Sequence, residues 1–370
     1  DKDVVAGSAR LRAAIGVGEA LNLIETAVTT LAVRAGSGGI HLTEDDAVTI
    51  GTVAATSVNR VDVDGTTPVL LQQADAVLSD LVTTAGSGSI VLQTLNGTIT
   101  VEDGAAPADG VGVRANGSGN ILLLAQTSLS DDKDIVLNAG VVSTSGSISI
   151  VANHDVIQAA GVVVTTGGAA SIDFEAAKGS VQMVNGAQLQ TAGADIRLKA
   201  NVDVKLTGVN AGAGRVSVLA VTGSILDAGD ARVDVIATTL RLSAAVGVGV
   251  LGAGADAIEM TVTTVSARAS GGGINLLETL DLIVGDTAAS VSRVLGDGTT
   301  SVLSDALQSD VVTVADNGSI VVRTGGLLTL NDGTAGIAGV AVSAEGAGNV
   351  RLEALGTDVT ANADINSGTG

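Results

Sequence analysis

The sequence predicts an all-β chain wound as one continuous parallel β-helix, with about fifteen to eighteen coils of roughly 20–24 residues. Three observations predict it. Apolar residues alternate in short runs that open on glycine or a small polar turn: Ile148 and Ile150, Ile172 and Phe174, Ile196 and Leu198. Ile148, Ile172 and Ile196 are evenly spaced, and an interval of roughly 24 residues is the spacing of a solenoid coil. Third, 46% of the 370 residues are hydrophobic, yet there is no Trp, no Tyr and a single Phe, Phe174. A large globular core uses aromatics as space-fillers. A thin coil is filled by Val, Ile, Leu and Ala instead.

From the amino terminus, residues 11–40 return as residues 242–274. Ala13-Ala14-Ile15-Gly16-Val17-Gly18 becomes Ala244-Ala245-Val246-Gly247-Val248-Gly249, and Val28-Thr29-Thr30 becomes Val262-Thr263-Thr264. Ile40, Leu42, Glu44 and Gly51 match Ile274, Leu276, Glu278 and Gly285; Val58 and Arg60 match Val291 and Arg293; Asp64-Gly65-Thr66-Thr67 matches Asp297-Gly298-Thr299-Thr300. Two copies of a long period therefore span about 1–139 and 232–370, and residues 140–231 are seen once. Within both copies the short unit recurs at Ile40, Ile90, Ile121, Ile274, Ile320 and Val350. Val, Ile and Thr favour strands, and the frequent glycines exclude a helical array. One segment departs from this. Val69 to Val82 places Leu70, Ala74, Val77, Leu78 and Leu81 at helical spacing, so a longer coil side with a bulge competes there with a short helix or outward loop. Its counterpart from Val302 to Val312 is shorter. The Gly16-Val17-Gly18 run lacks the following glycine and the βαβ context of a nucleotide loop.

Only two prolines interrupt the ladders, and the absence of cysteine excludes disulfides and thiolate metal sites. A formal charge of −21 repels nucleic acid and anionic membranes and attracts cations, Ca²⁺ among them. No apolar run reaches the roughly 18 residues of a membrane span. The start at Asp1-Lys2-Asp3, without Met or a signal sequence, suggests a mature or excised piece of something longer. Both ends fall inside the long period without a polar cap, so the coils are expected to continue in a longer polypeptide or by end-to-end stacking of copies.

The strings KDIVLNAG at Lys133, TSGSISI at Thr144 and AVTTLAVRAGSGGIHLTEDDAVTIG at Ala27 resemble the repeat regions of filamentous-haemagglutinin-like, large secreted bacterial adhesins. The resemblance covers the whole chain. It implies a right-handed β-helix, export to the cell surface or medium, and a place in a long fibre. The family's amino-terminal secretion domain has no counterpart here. The expected function is structural: a segment of an extracellular bacterial fibre, adhesin or surface-layer component giving length, stiffness and a repeating lateral surface. The expected partners are other copies of the chain, with host or cell-surface receptors or glycans; nucleic acid and membrane insertion are not expected.

The competing expectation is a carbohydrate-active β-helix enzyme or glycan-binding module. Glycoside hydrolysis needs two carboxylates facing one cleft, and sugar sites use aromatic platforms. Phe174 alternates with Ile172 and is expected inside. His41 becomes Asn275 in the second copy, and His154 sits in a turn. No catalytic or cofactor-binding residue is assigned. Cation binding is the better chemical option, with Ca²⁺ candidates at Asp62, Asp64, Asp297, Asp131, Asp132 and Asp134. Further carboxylates cluster at Glu44-Asp45-Asp46 and at Asp227 with Asp230, but of Asp45, Asp46, Asp62 and Asp64 only Asp64 keeps an acidic match in the second copy, Asp297. A solvated acidic surface explains the rest.

Overall fold

Glycine punctuation sets three sides per coil in the middle of the chain. Strand Ile148–Ala152 is followed by Val156–Gln158 and Val163–Thr166, and the next coil repeats them as Ile172–Ala176, Val181–Met183 and Gln188–Thr191. Each strand pairs in parallel with its equivalent one coil away: Ile148 with Ile172 and then Ile196, Val156 with Val181 and then Val204, Val164 with Leu189 and then Val209. In this computed structural model, which describes residues 2–66, 72–126, 133–229, 232–252 and 256–370, the described residues form strands and no helix, and one sheet holds 35 strands. The chain is a parallel β-solenoid.

Alternation places Ile148, Ile150 and Ala152 inside and turns Ser149 and Val151 outward. The interior is a set of columns. Phe174 is fully buried between Ile150 and Leu198. At the corner end stands a column of small residues: Ala125, Ala152, Ala176, Ala200, Ala220 and Ala244. The corner ahead of each strand is tight. A Cβ on Gly146 would lie 2.1 Å from the Gly119 carbonyl oxygen. Buried hydroxyls satisfy the corner carbonyls: Ser143 Oγ donates to Gly119 O at 2.7 Å and Thr166 Oγ1 to Gly146 O at 2.6 Å.

One unbroken ladder runs through Val17, Ile40, Ile90, Ile121, Ile148, Ile172, Ile196, Val216, Leu240, Val265, Val284, Leu330 and Ala361, thirteen levels in all. That is fewer than the roughly fifteen to eighteen that a coil of about 20–24 residues requires. The middle coils keep the expected length. Elsewhere the step is longer, as from Ile90 to Ile121 and, most of all, from Ile40 to Ile90 and from Val284 to Leu330, the two steps that carry the hairpins. At about 4.8 Å per level the stack is roughly 60 Å long.

Val4–Arg12 and Ile24–Ala35 return as Val235–Ala244 and Ile258–Ala269. These strands contain few corner residues, so they run straight through what is a corner in the middle coils. Val235–Ala244 pairs with Val209–Asn210 on one side of the coil and with Arg215–Ala220 on the next. Two sides have fused into one. Where Ile24–Ala35 changes partner, between the pairs Thr26–Glu44 and Thr30–Thr49, the N–H of Val28 has no strand opposite it. Buried Glu44 accepts it at 3.0 Å, and in the second copy Glu278 accepts the N–H of Val262 at 2.8 Å. These glutamates fill a gap in the ladder.

After each fused pair an antiparallel hairpin leaves the coil. The first joins Thr56–Asn59 to Gln72–Asp75, and the second joins Ser290–Val294 to Thr300–Ser304. The segment from Val69 to Val82 thus contains a returning hairpin strand and two short strands, Leu78–Ser79 and Leu81–Thr83, which is the outward-loop alternative; residues 67–71 lie outside the described residues.

Candidate functional site

The second hairpin, here the strap, does not project into solvent. It folds back along the outside of the stack and crosses several levels. Its alternate backbone N–H groups step from coil to coil: Ser290 N donates to Asp195 Oδ2 at 2.8 Å, Ser292 N to Ser171 Oγ at 2.7 Å, and Val294 N to Ser149 Oγ at 2.9 Å. At its tip the Gly298 carbonyl accepts Asn120 Nδ2 at 2.9 Å. Side-chain oxygens on the solenoid thus stand where a neighbouring strand's carbonyls would stand, and they satisfy the strap's free edge.

Charge fixes the base of the strap. Arg293 Nε donates to Asp173 Oδ2 at 2.6 Å and its Nη2 to Glu175 Oε2. Arg197 Nη1 donates to Asp173 Oδ1 at 3.1 Å, and Arg197 Nε donates to Asp305 Oδ1 at 3.1 Å as the strap returns. Lys199 Nζ donates to Glu175 Oε1 at 3.0 Å. Asp173 is fully buried and Arg197 nearly so. Burial alone would raise Glu175, but the hydrogen bonds and charges of Arg293 and Lys199 outweigh it and hold its carboxyl at about 2. Burial also opposes the charge on Arg197, yet Asp173 and Asp305 raise its pKa. Toward the tip the contact turns apolar, where Val294 packs on Val91 and Leu122. His41 is buried near the tip: a Cβ on Gly298 would lie 3.3 Å from its Nε2. Burial lowers the pKa of His41, and Asp297 opposes that.

The Ca²⁺ candidates among the described residues fall at three places. Asp62 and Asp64 are exposed near the tip of the first hairpin, and Asp297 stands at the tip of the strap. Asp64 Oδ1 accepts both the N–H (2.9 Å) and the hydroxyl (2.7 Å) of Thr66, and Asp297 Oδ1 takes the same two bonds from Thr299 at 2.9 and 2.6 Å. Those bonds lower the pKa of each. These carboxylates cap their own turns. Asp134 joins His154 and Asp155: its Oδ1 lies 3.0 Å from His154 Nδ1 and accepts the N–H of Asp155 at 2.9 Å. Asp131 and Asp132, like Asp230, lie outside the described residues.

A second acidic group gathers where the long period restarts. Oxygens of Asp227, Asp234 and Glu259 all lie within 4.8 Å of one another. Asp234 Oδ2 accepts the N–H of Glu259 at 3.1 Å. Burial, then the charges of Asp227 and Glu259, push the Asp234 carboxyl up to about 9. A groove of about 460 Å³ opens beside the root of the strap, lined in part by Arg241, Arg268, Gln308, Ser309 and Asp310. Its one carboxylate, Asp310, is raised to about 6, mainly by burial.

The strap network was missed by sequence reasoning, though a signal for it exists. Asp173 and Glu175 are followed one coil later by Arg197 and Lys199, so opposite charges stand at the same outward positions of consecutive coils. The Asp234 and Glu259 pairing has a signal too, since Asp3 and Glu25 stand at the matching positions and Asp3 Oδ2 accepts the N–H of Glu25 at 3.1 Å. No protein-family model, no curated protein and no solved structure matches this chain.

Proposed function

We propose that the chain is a length-giving segment of a secreted bacterial fibre, adhesin or surface-layer component, and that it acts mechanically, without catalysis. One observation carries this: the long period recurs as a whole run of elements. Fused strands, buried gap-filling glutamate, hairpin and coils return in the same order at Val4–Arg12 and at Val235–Ala244 and onward. Repeating a block of coils lengthens a stack and leaves its cross-section unchanged. The charge of −21 keeps such rods soluble and apart laterally. Coils meet their own kind end to end, so the principal partner is another unit of the same period. Electron microscopy of the purified chain tests this. Rods roughly 60 Å long, lengthening in proportion when the period is duplicated, are expected. Compact particles whose length does not grow with added periods would overturn it.

A further inference from the structure

The first hairpin carries the docking residues of the strap, but its residues from Thr56 to Thr66 lie against no coil. Arg60 stands at the position of Arg293, Val61 at that of Val294, Gly65 at that of Gly298 and Asp75 at that of Asp305. In the strap these residues make the ion pairs to Asp173 and Glu175, the apolar contact with Val91 and Leu122, the tip contact with Asn120 and the ion pair to Arg197. In the first hairpin the described residues from Thr56 to Thr66 are exposed. Val58 and Val61 are more than half exposed. Among the described residues Arg60 pairs with no carboxylate, and Asp75 meets only Arg10, at 3.5 Å.

The strand beneath tells the same story. Val235–Ala244 is paired on both edges, by Val209–Asn210 and Arg215–Ala220 on one and by Ile258–Ala269 on the other. Its counterpart Val4–Arg12 pairs with Ile24–Ala35 and is exposed over most of its length. An open parallel edge and an unoccupied arm thus sit at the same end of the stack, and both have docked equivalents elsewhere in the molecule.

We infer that the hairpin at 56–75 is a coupling arm whose occupant is a preceding unit of the same period, lying with the equivalents of Ser149, Ser171, Asp173, Glu175 and Asp195 under the arm. Charge complementarity selects that surface. Arg60 matches the cation that Asp173 and Glu175 hold at Arg293, and Asp75 matches the carboxylate that Arg197 holds at Asp305. The chain's own ladder of these residues is already filled by the strap. The inference rests on the length-giving function above and adds the device that couples one unit to the next.

A tandem protein tests it: residues 1–234 joined directly to residues 4–370, so that Val4 follows Asp234 as Val235 does. The chain has no cysteine, so an introduced pair is unambiguous. Val61→Cys in the second unit and Leu122→Cys in the first are expected to form a disulfide as readily as Val294→Cys with Leu122→Cys does in the single chain. Arg60→Glu in the second unit is expected to abolish that cross-link and lower the melting temperature of the tandem, while leaving the melting of the single chain unchanged. A tandem that forms one continuous rod without the cross-link, while the control pair closes, would overturn the arm and leave the length-giving function standing. A tandem that forms two separate particles would sink both. Cross-linking of Val61→Cys to Leu122→Cys between separate single chains in dilute solution would also overturn it, in favour of a lateral partner.

Discussion

The two hairpins have the same tip and opposite surroundings. Asp64 and Asp297 cap their turns with the same pair of bonds to Thr66 and Thr299, and Gly65 and Gly298 adopt φ of 81° and 80°. One hairpin stands free and the other lies on five coils' worth of polar side chains and apolar contacts, from Asp195 to Ser89. The turn is therefore a local product of its own sequence. The docked position is not; it is imposed by residues far away along the chain. The same split holds at the base of each period, where Asp234 meets Asp227 and Glu259 while Asp3 meets Glu25.

Substituting matched residues in the two hairpins sharpens or breaks this comparison. Arg293→Ala removes one of the cations paired with each of Asp173 and Glu175 and is expected to lower stability by about 1–3 kcal/mol. Arg60→Ala is expected to change nothing; urea unfolding of both variants checks the pair. An equal loss in the two would mean that the hairpins do not differ in the way described. Gly298→Ala comes next. A Cβ there would sit 3.0 Å from Ser89 Cβ, whereas one on Gly65 meets nothing within 4 Å. Left-handed backbone costs about 1–2 kcal/mol at both positions, but only at Gly298 does it also displace a docked strap. Thermal melting of Gly298→Ala should fall below that of Gly65→Ala.

The junction carboxylates yield a slope with pH. Asp234 has a folded pKa raised to about 9, far above the usual carboxylate value near 4. Its protonated form is favoured by folding, so its contribution is fully present below about pH 4 and is lost as the pH rises toward 9. Glu175 runs the other way. Held at about 2, it stabilises above its ordinary value and loses that contribution as the pH falls toward 2. Melting temperature is expected to peak in mildly acid solution. Asp234→Asn should lessen the alkaline slope. A wild-type curve level from pH 5 to 9 would contradict the burial of Asp234. The smallest effect is expected from Asp297→Ala and Asp64→Ala, which each remove a turn cap of about 0.5–1.5 kcal/mol. Amide exchange at Thr299 and Thr66 should accelerate, with coil melting nearly untouched.

Glycine corners and alternating Ile and Leu made the solenoid legible, because both are local and recur within one coil. The internal Phe174 followed from the same alternation. The coil number was overestimated because the hairpins, and the long turns ahead of Ile121 and Ala361, consume residues without adding levels. Fusion is written as the loss of a corner, a weaker mark than its presence. The strap itself was hidden because its partners come from distant coils, and only the topology brings Arg293 to Asp173. The Ca²⁺ candidates Asp62, Asp64 and Asp297 stand where turns favour Asp, and their oxygens accept bonds from their own turns.

A stack of coils held only by nearest neighbours can peel from an end one level at a time. The strap changes this, because a single pair of strands grips the levels of Asn120, Ser149, Ser171 and Asp195 at once. Under tension applied along the chain those levels must let go together, while the coils outside the strap can unwind singly. Pulled between its ends, the molecule should lengthen first in small steps and then in one large one. In a fibre each such clasp would be a stop against unravelling.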